Sequence, residues 1–324
     1  MAPTYLITAA SGHIGQRLVP LLLSSSSKPT LVLPTTNAAR LTSALPSDAD
    51  KSRLHVVEGN IQDPRFVSEI LEEHKVTGVF LCLTGDNELF TTFNLFDSLS
   101  RSGTVKHLVY LSAAGDYSLE SQRNGMLQAV GAAHVAVKFL VEAKIRYGLR
   151  PREEEGGFSW TILGPTLFFD NDLRVKREVL VDGVFGDPLG SKGVSRVCEN
   201  DIALAVAKSL EDDGKQWGGR KICLGSLKMY TNQDVARLWS DALGKEIKPT
   251  LSGKTEMDAF EKNFTKKAGP AWGRDIRLML ETFEAAPFGM TEAEYKDQVS
   301  LLGKEPESYE KFVGAAAKQW KEQQ

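Results

Sequence analysis

The chain has 324 residues, of which 42% are hydrophobic and 25% are charged, and its formal net charge is −3. A chain of this length can bury a substantial core, and its balanced charge offers no basic surface for nucleic acid. No apolar run is long enough to span a membrane, and no basic segment typical of signal peptides precedes the first apolar residues. We therefore expect a soluble, cytoplasmic protein that binds neither nucleic acid nor a membrane.

Cysteine and histidine are sparse and scattered. Cys82, Cys198 and Cys223 form no C-x-x-C pair, and only five histidines are present. Metal sites usually need such residues at short, regular spacing. We predict no metal site, and we expect a monomer or a weak homodimer.

The N-terminal stretch carries the first functional motif. Tyr5 to Thr8 predicts a short buried strand, and apolar residues from Ile14 to Leu22 recur at helical spacing. The turn between them has the G-x-x-G-x-x-G spacing, with Ala in the first position. Small residues there let the backbone approach a pyrophosphate at the start of a helix. The alternative is a turn that only packs helix on strand. The predicted cofactor-binding residues of this turn are Ala9, Ser11, Gly12, His13, Ile14 and Gly15.

The end of the second predicted strand, Thr30 to Leu33, bears on which dinucleotide binds. An acidic residue there would bond the ribose 2′-hydroxyl of NAD, whereas a basic residue would accommodate the 2′-phosphate of NADP. The chain has Thr35, Thr36 and Asn37 at this point, with Arg40 one helical turn on. We predict NADP(H) as the cofactor, held here by Thr35 and Arg40. The alternative is that Arg40 lies on a solvated helix face.

Strands and helices alternate through the first half. Strands are predicted at Leu54–Glu58, Gly78–Leu83, Val105–Leu111 and Ser159–Leu163. Between them, one helix is predicted to start at Asp63-Pro64, and two others are predicted at Leu89–Ser102 and Met126–Tyr147. This alternation predicts an α/β fold with a doubly wound parallel sheet. Ligands of such sheets lie beyond the carboxyl ends of the strands. The residues that follow other strands complete the predicted cofactor site: Asn60, Ile61, Leu83, Thr84 and Pro165.

The second half has a weaker strand pattern. Short strands are predicted at Val179–Gly186 and Lys221–Leu224, a helix at Asp201–Leu210, and helix starts at Thr231, Thr291 and Ser308. We divide the chain into a dinucleotide-binding domain, residues 1–164, and a smaller, mostly helical substrate lobe, residues 165–324. Strands of the lobe are expected to return to the main sheet.

Catalytic candidates follow the fifth strand. Short-chain dehydrogenases place a serine at this strand end and a Tyr-x-x-x-Lys pair on the next helix, where residues four apart share a face. This chain has Ser112, and it has His134 and Lys138, so histidine replaces tyrosine. Imidazole can donate a proton near neutral pH. Alternatively His134 only lines the pocket, and Ser112 only satisfies nearby backbone.

Three aromatic residues are candidates for contact with substrate. Tyr117 lies five residues after Ser112 and could replace the missing tyrosine. Phe168 and Phe169 follow the sixth strand, where either ring could stack on a flat substrate. The alternative for both phenylalanines is a place in the core.

Several motifs in order resemble the NmrA-like branch of the atypical short-chain dehydrogenases/reductases. They are LITAASGHIG, Gly59-Asn60, VKHLVYLSAAG, the His134/Lys138 pair, SWTILGPTLFFDN and VCENDIALAVAKSL. The C-terminal LLGKEPESYEKFVGAAAKQW resembles quinone-oxidoreductase-like and triphenylmethane-reductase-like members. The resemblance runs from residue 4 to about residue 320. It implies an NADPH-binding Rossmann domain with a smaller C-terminal substrate lobe.

The resemblance also frames the expected function. Family members include reductases of quinones, dyes, imines and activated alkenes, and redox-sensing regulators that bind the dinucleotide without turnover. Ala9, Asn60 and the lack of a basic residue directly after the second strand depart from the family pattern. We predict an NAD(P)H-dependent reductase of specialised metabolism that transfers hydride to an electron-poor C=O, C=N, quinone or activated C=C. Lys138 would orient the ribose, and His134, Ser112 or water would supply a proton. The alternatives are an NADP(H)-sensing regulator and a non-redox cyclase or isomerase.

Overall fold

A computed structural model describes residues 2–46 and 50–323. Within these residues, seven parallel strands form one sheet, and five short strands lie outside it. In chain order the strands are β1 (Thr4–Ile7), β2 (Thr30–Thr35), β3 (Leu54–Glu58), β4 (Gly78–Leu81), β5 (His107–Leu111), β6 (Ser159–Pro165), β7 (Leu167–Phe168), β8 (Val184–Phe185), β9 (Val194–Val197), β10 (Arg220–Leu224), β11 (Met229–Tyr230) and β12 (Lys248–Pro249).

Eleven longer helices connect or cover these strands in the described residues. They are α1 (His13–Ser24), α2 (Ala38–Ala44), α3 (Pro64–Glu73), α4 (Glu88–Ser102), α5 (Ala133–Gly148), α6 (Glu199–Asp212), α7 (Asn232–Leu243), α8 (Lys254–Ala268), α9 (Pro270–Ala285), α10 (Glu292–Leu302) and α11 (Tyr309–Glu322). None of the helices in this part of the chain is both long and apolar enough to cross a membrane.

The main sheet has the order β3-β2-β1-β4-β5-β6-β10, so the predicted doubly wound parallel sheet is confirmed. Leu6 at the centre of the sheet lies beside Val32 on one neighbouring strand and Val79 on the other. All three side chains are fully buried, because helices cover both faces of a doubly wound sheet. The strand order changes direction between β1 and β4, because β2 and β3 follow on one side of β1 and β4, β5 and β6 follow on the other. Ligands of such sheets bind in the crevice beyond the carboxyl ends of the strands at this switch point.

Local sequence signals explain where several helices begin. The Asp63 carboxylate accepts a hydrogen bond from the Arg65 N–H, and Pro64 takes the first helical position of α3. Thr231 and Thr291 each form a reciprocal capping box with the acidic residue three positions on. The predicted starts at these positions are confirmed.

Two predicted elements differ from the structure in type or by more than two residues at one end. The apolar run at Val179 forms a helical turn, Glu178–Asp182, that ends at Gly183 with φ +66°, and only Val184–Phe185 is a strand. The helix predicted from Met126 begins at Ala133, because Gly125 has φ +103° and Val130 is extended. A short apolar run fits a helix or a strand equally well, and glycine interrupts helices.

The C-terminal region has a core of its own. Trp239 of α7 stacks on Trp320 of α11 with ring centroids 4.4 Å apart. The buried Asp172 carboxylate accepts from Trp239 Nε1 at 3.2 Å and contacts Arg196 and the Tyr309 hydroxyl. This network joins β9, α7 and α11. Strand β10 returns to the main sheet beside β6, and the domain boundary at residue 164 stays a prediction.

Candidate functional site

The turn between β1 and α1 has the geometry that its small residues predicted. Ala9 adopts the left-handed conformation, with φ +53°, which favours the glycine usual in this motif. The Gly12 N–H donates to the Ala9 carbonyl at 2.9 Å and closes the turn. A Cβ on Gly15 would lie 2.5 Å from Ala10 Cα and against the Ala9 carbonyl. Only glycine lets α1 start this close to the turn.

The start of α1 is open to an anionic ligand. Gly12 caps the helix without any side-chain hydrogen bond from the described residues, and the first turn contains no acidic residue. Ala9, Ser11 and His13 are exposed, while Ile14 and Gly15 are buried. Backbone N–H groups and the helix dipole therefore present a positive end to solvent. This arrangement suits a pyrophosphate.

One side of the turn is tied to the segment after β7. His13 Nδ1 lies 3.1 Å from Asp170 Oδ2, and the Arg17 guanidinium donates to the same oxygen at 2.8 Å. The Asp170 N–H donates to Glu199 Oε1 at 3.0 Å. The pKa of Glu199 is raised to about 7, mainly by burial and to a smaller extent by the nearby Asp170 carboxylate. The turn thus borders a carboxylate that changes charge near neutral pH.

The residues predicted to recognise NADP(H), Thr35 and Arg40, lie at the end of β2 and on α2, and Thr35 pairs with Glu58 at the end of β3. Arg40 is exposed, and in the described part of the chain its guanidinium makes no ion pair. The Asn37 side chain caps α2 by accepting from the Arg40 N–H at 2.8 Å. Glu58, which the sequence reasoning missed, accepts from the Ala38 N–H at 2.8 Å. Thr35 is half-buried at the same edge.

The residues after β3 and β4 lie at the same edge of the sheet. Asn60 is exposed, and its side chain accepts from the Gln62 N–H at 3.0 Å. Ile61 and Leu83 are half-buried, and Thr84 is exposed. Pro165 at the end of β6 is buried, and its carbonyl accepts from the Ala114 N–H at 2.9 Å.

Lys138 points inward from α5, as its spacing predicted. Its ammonium lies 2.5 Å from Glu88 Oε1 and donates to the Leu111 carbonyl at 3.3 Å. The Tyr110 hydroxyl donates to the same Glu88 oxygen at 2.6 Å. Lys138 is 7% exposed and Glu88 is 1% exposed. The lysine therefore belongs to a buried ion pair at the ends of β4 and β5.

Ser112 belongs to a second buried cluster. Its hydroxyl donates to Glu142 Oε1 at 2.5 Å, and the Lys221 ammonium lies 2.6 Å from that oxygen. Arg146 contacts the other Glu142 oxygen at 3.1 Å. Burial lowers the pKa of Lys221, although Glu142 opposes that shift. Glu142 stands four residues after Lys138 on the same helix face, so the spacing could have identified it. No sequence signal indicated Lys221 or Glu88.

His134 lies at the first turn of α5, against the C-terminal region. Its Nδ1 contacts Asp275 Oδ2 of α9, and the other Asp275 oxygen accepts from the Ala133 N–H at 2.5 Å. The Trp272 ring lies 5.6 Å away. A Cβ on Gly85, after β4, would lie 2.6 Å from the His134 Cβ. A carboxylate on Nδ1 leaves Nε2 as the nitrogen that can face a ligand.

The three predicted substrate-contacting aromatics have different environments. Tyr117 is 3% exposed, its hydroxyl donates to the Ala114 carbonyl at 3.0 Å, and burial raises its pKa. Phe169 is 1% exposed and packs on Tyr309 and Phe312. Phe168 is half-buried. Tyr117 and Phe169 are therefore core residues in this structure, whereas Phe168 is partly buried and packs against the core of the main sheet.

A cavity of about 280 Å³ opens elsewhere, in the C-terminal region. Its wall includes the ion pair of Arg174 and Asp187, 2.6 Å apart, and the Phe264 ring. None of the predicted cofactor-binding residues lines it. In addition, the described residues contain no group of three His, Cys, Asp or Glu side chains that could hold a metal ion.

The model of a family described as NAD(P)H-binding matches residues 9–213, which begin at Ala9 in the turn and include the strand ends described above. The chain belongs to the NAD(P)H-binding family. The prediction of an NAD(P)H-binding chain is thereby confirmed. A search of curated proteins finds no match to this sequence.

Solved structures share the fold of this NAD(P)H-binding protein. The NADPH-dependent quinone oxidoreductase of Escherichia coli, complexed with NADPH, is 17% identical with a TM-score of 0.74, covering 96% of this chain and 99% of that one. Citrobacter sp. triphenylmethane reductase complexed with NADP(H) is 17% identical with a TM-score of 0.70, covering 97% and 99%. NmrA, a negative transcriptional regulator in complex with NADP, is 15% identical with a TM-score of 0.71, covering 100% and 98%. These likenesses confirm the predicted NmrA-like fold.

Proposed function

We propose that this protein is an NADPH-dependent reductase that delivers hydride to an electron-poor C=O, C=N, quinone or activated C=C group. The observation that carries the proposal is the open start of α1 beside Ala9, because it offers free N–H groups to a pyrophosphate. The family match begins at this turn. The similar reductases, described with NADPH or NADP(H), support a redox role.

The end of β2 supports NADPH over NADH. Strand β2 contains no acidic residue that could accept a hydrogen bond from a ribose 2′-hydroxyl. The exposed Arg40 side chain can turn toward a 2′-phosphate. The Glu58 carboxylate lies nearby and accepts a hydrogen bond from the Ala38 N–H. Arg40 would offset the repulsion between this carboxylate and the phosphate.

The residues of the proposed active site have separate tasks. When bound, NADPH would supply the hydride, that is, one proton and two electrons, to the acceptor carbon. Lys138 holds a ribose hydroxyl at the ends of β4 and β5. His134, with Asp275 on Nδ1, gives a proton from Nε2 to the acceptor oxygen or nitrogen when the acceptor needs one. Ser112 donates to Glu142 and therefore serves as a positioning group. Residues 165–324 would form the substrate lobe, with Phe168 at the pocket.

A regulator that binds NADP(H) without turnover is the second candidate. The contacts of Lys138 and Ser112 with buried carboxylates support this candidate. These contacts leave Nε2 of His134 as the main group among the catalytic candidates that can donate a proton to a substrate, and turnover needs such a donor for many acceptors. The similar fold of NmrA points the same way.

His134→Ala separates these candidates. With a quinone or ketone acceptor we expect NADPH oxidation to fall by about 100-fold, since positioned general acids contribute roughly 10²–10⁴-fold. A cationic iminium acceptor takes hydride without a proton, so its rate should change by less than about threefold. The Kd of the variant for NADPH should equal that of the wild type. His55→Ala, at an exposed histidine on β3, is the matched control.

The measurement is the decay of reduced-nicotinamide absorbance with each acceptor. Equal losses with both acceptor types would remove the proton-donor role of His134. Wild-type protein that binds NADPH but oxidises it with none of the acceptors would favour the regulator.

A further inference from the structure

The cavity of about 280 Å³ in the C-terminal region contains none of the predicted cofactor-binding residues. One face of α8 forms part of its wall, because Glu256, Phe260 and Phe264 follow one another at intervals of four residues. Another part of the wall comes from the helical segments that carry Arg174 and Glu178. The volume lies just below the range of about 300–1,000 Å³ that is usual for ligand pockets, so the cavity suits a small molecule.

The charges of the cavity wall do not balance. Arg174 donates to Asp187 Oδ2 at 2.6 Å, and the Lys267 ammonium lies 3.7 Å from Glu178 Oε1. Both cations therefore have a carboxylate beside them. Glu256 is the third carboxylate of the wall, and it forms no ion pair with any described residue. With two cations and three carboxylates, the wall carries one negative charge in excess.

Asp187 also offers a hydrogen-bond acceptor to the cavity. The residue is 3% exposed, and it lies in the cavity wall. Its Oδ2 accepts from Arg174, whereas its Oδ1 accepts no hydrogen bond from the described residues. A carboxylate oxygen in such a buried position is stabilised by a donor. A ligand with an N–H group could supply that donor.

The excess charge and the free acceptor together select a cation. An ammonium carries three N–H donors and no acceptor, so one N–H matches Asp187 Oδ1 and its charge compensates that of Glu256. A carboxylate or phosphate could reach the remaining N–H donors of Arg174, but the three carboxylates of the wall would repel it. A neutral alcohol would leave the excess charge uncompensated.

Two phenylalanines define the apolar part of the ligand. The rings of Phe260 and Phe264 lie 5.6 Å apart on the same face of α8. The Arg174 guanidinium already lies over the Phe264 ring, 5.7 Å from its centroid, so this surface accepts a positive charge. We propose that the cavity binds a small primary amine in its ammonium form, with the aromatic or short aliphatic body of the amine against these rings.

Calorimetric titration with 2-phenylethylamine, in the absence of NADPH, tests the proposal. An alkylamine is protonated at about pH 7, and we expect saturable binding at one site per chain. The neutral isostere 2-phenylethanol should bind at least about tenfold more weakly, because it has no charge for Glu256. The anion 3-phenylpropanoate should not bind.

Two substitutions in the wall should shift the Kd of the amine in opposite directions. Glu256→Gln keeps the size of the side chain and removes the excess charge, so the Kd should rise about fivefold. Lys267→Gln removes a cation and frees Glu178, so the Kd should fall about threefold. A loss of folded protein would weaken binding in both variants and could not produce opposite shifts.

Glu292→Gln is the matched control. Glu292, like Glu256, is an acidic residue in the first turn of a helix, but it lies outside the cavity wall. This variant should leave the Kd of the amine unchanged. The proposal would be overturned by equal Kd values for the amine and the alcohol, by equal effects of Glu256→Gln and Glu292→Gln, or by no saturation below about 10 mM amine.

The same titration in the presence of saturating NADPH separates this site from the dinucleotide site. We expect an unchanged Kd for the amine, because the cavity shares no residue with the predicted cofactor site. Displacement of NADPH by the amine would place the amine in the dinucleotide site and overturn the proposal. Wild-type protein that binds no NADPH would overturn the proposed function, and the titration without NADPH would still decide the amine site.

Discussion

Gly15→Ala is expected to lower the free energy of unfolding by about 3 kcal/mol, at the upper end of the usual cost of overpacking. The added Cβ would meet the Ala9 carbonyl, and it would lie 2.5 Å from Ala10 Cα and 2.6 Å from Ala10 O. These are backbone atoms, so no flexible side chain can move aside. Helix α1 must shift away from β1 instead.

The same substitution should weaken NADPH binding at least tenfold, because the shift moves the N–H groups of the first turn away from the pyrophosphate. Chemical denaturation and NADPH titration measure the two effects. Gly314→Ala is the control, since Gly314 lies exposed within α11 and a Cβ there has no atom within 4 Å among the described residues. It should stabilise the protein slightly. A stable Gly15→Ala variant with normal NADPH affinity would contradict the close approach of α1 to the turn.

Glu199→Gln is expected to stabilise the protein at pH 8 by at most about 3 kcal/mol. Burial raises the pKa of Glu199 from 4.5 to about 7 in the folded protein, and the Asp170 carboxylate adds to the shift. Between these two pH values the folded protein holds a proton that the unfolded chain has lost. The stability of the wild type therefore falls as the pH rises through this window, and the penalty is complete above about pH 8.

Glutamine cannot ionise, so the variant should lack this part of the pH dependence. Melting temperatures of both proteins should agree near pH 4.5 and separate steadily toward pH 8. Glu292→Gln, at an exposed position in the first turn of α10, should reproduce the wild-type curve. A Glu199→Gln curve that runs parallel to the wild type over the whole range would show that Glu199 is not a buried, proton-holding group.

Local patterns were enough to predict most of the fold. The predicted bounds of β3 coincide with the observed Leu54–Glu58, because flanking polar and glycine residues mark both ends. The capping box at Thr231 and the Asp63-Pro64 start are also local signals. The predictions failed at Val179, where a short apolar run has no period to separate helix from strand.

The candidate site was predictable only in part. The turn at Ala9 depends on small residues at fixed spacing, and the inward orientation of Lys138 follows from the four-residue helix period. Its partner Glu88 lies 50 positions earlier in the chain, and the partner of His134, Asp275, lies 141 positions later. Such pairs arise from tertiary packing, which no local pattern encodes. The burial of Phe169 has the same origin, since its neighbours Tyr309 and Phe312 belong to the last helix.

Titration of the wild-type protein with NADPH and with NADH tests the central claim most directly, namely that the open start of α1 holds a dinucleotide with a 2′-phosphate. Quenching of tryptophan fluorescence should saturate at one NADPH per chain, with a Kd at least tenfold lower than that for NADH. If neither NADPH nor NADH binds, the assignment of the Ala9–Gly15 turn is contradicted. Tighter binding of NADH would contradict the role given to Arg40 and would point to Glu58 as the residue that recognises the ribose.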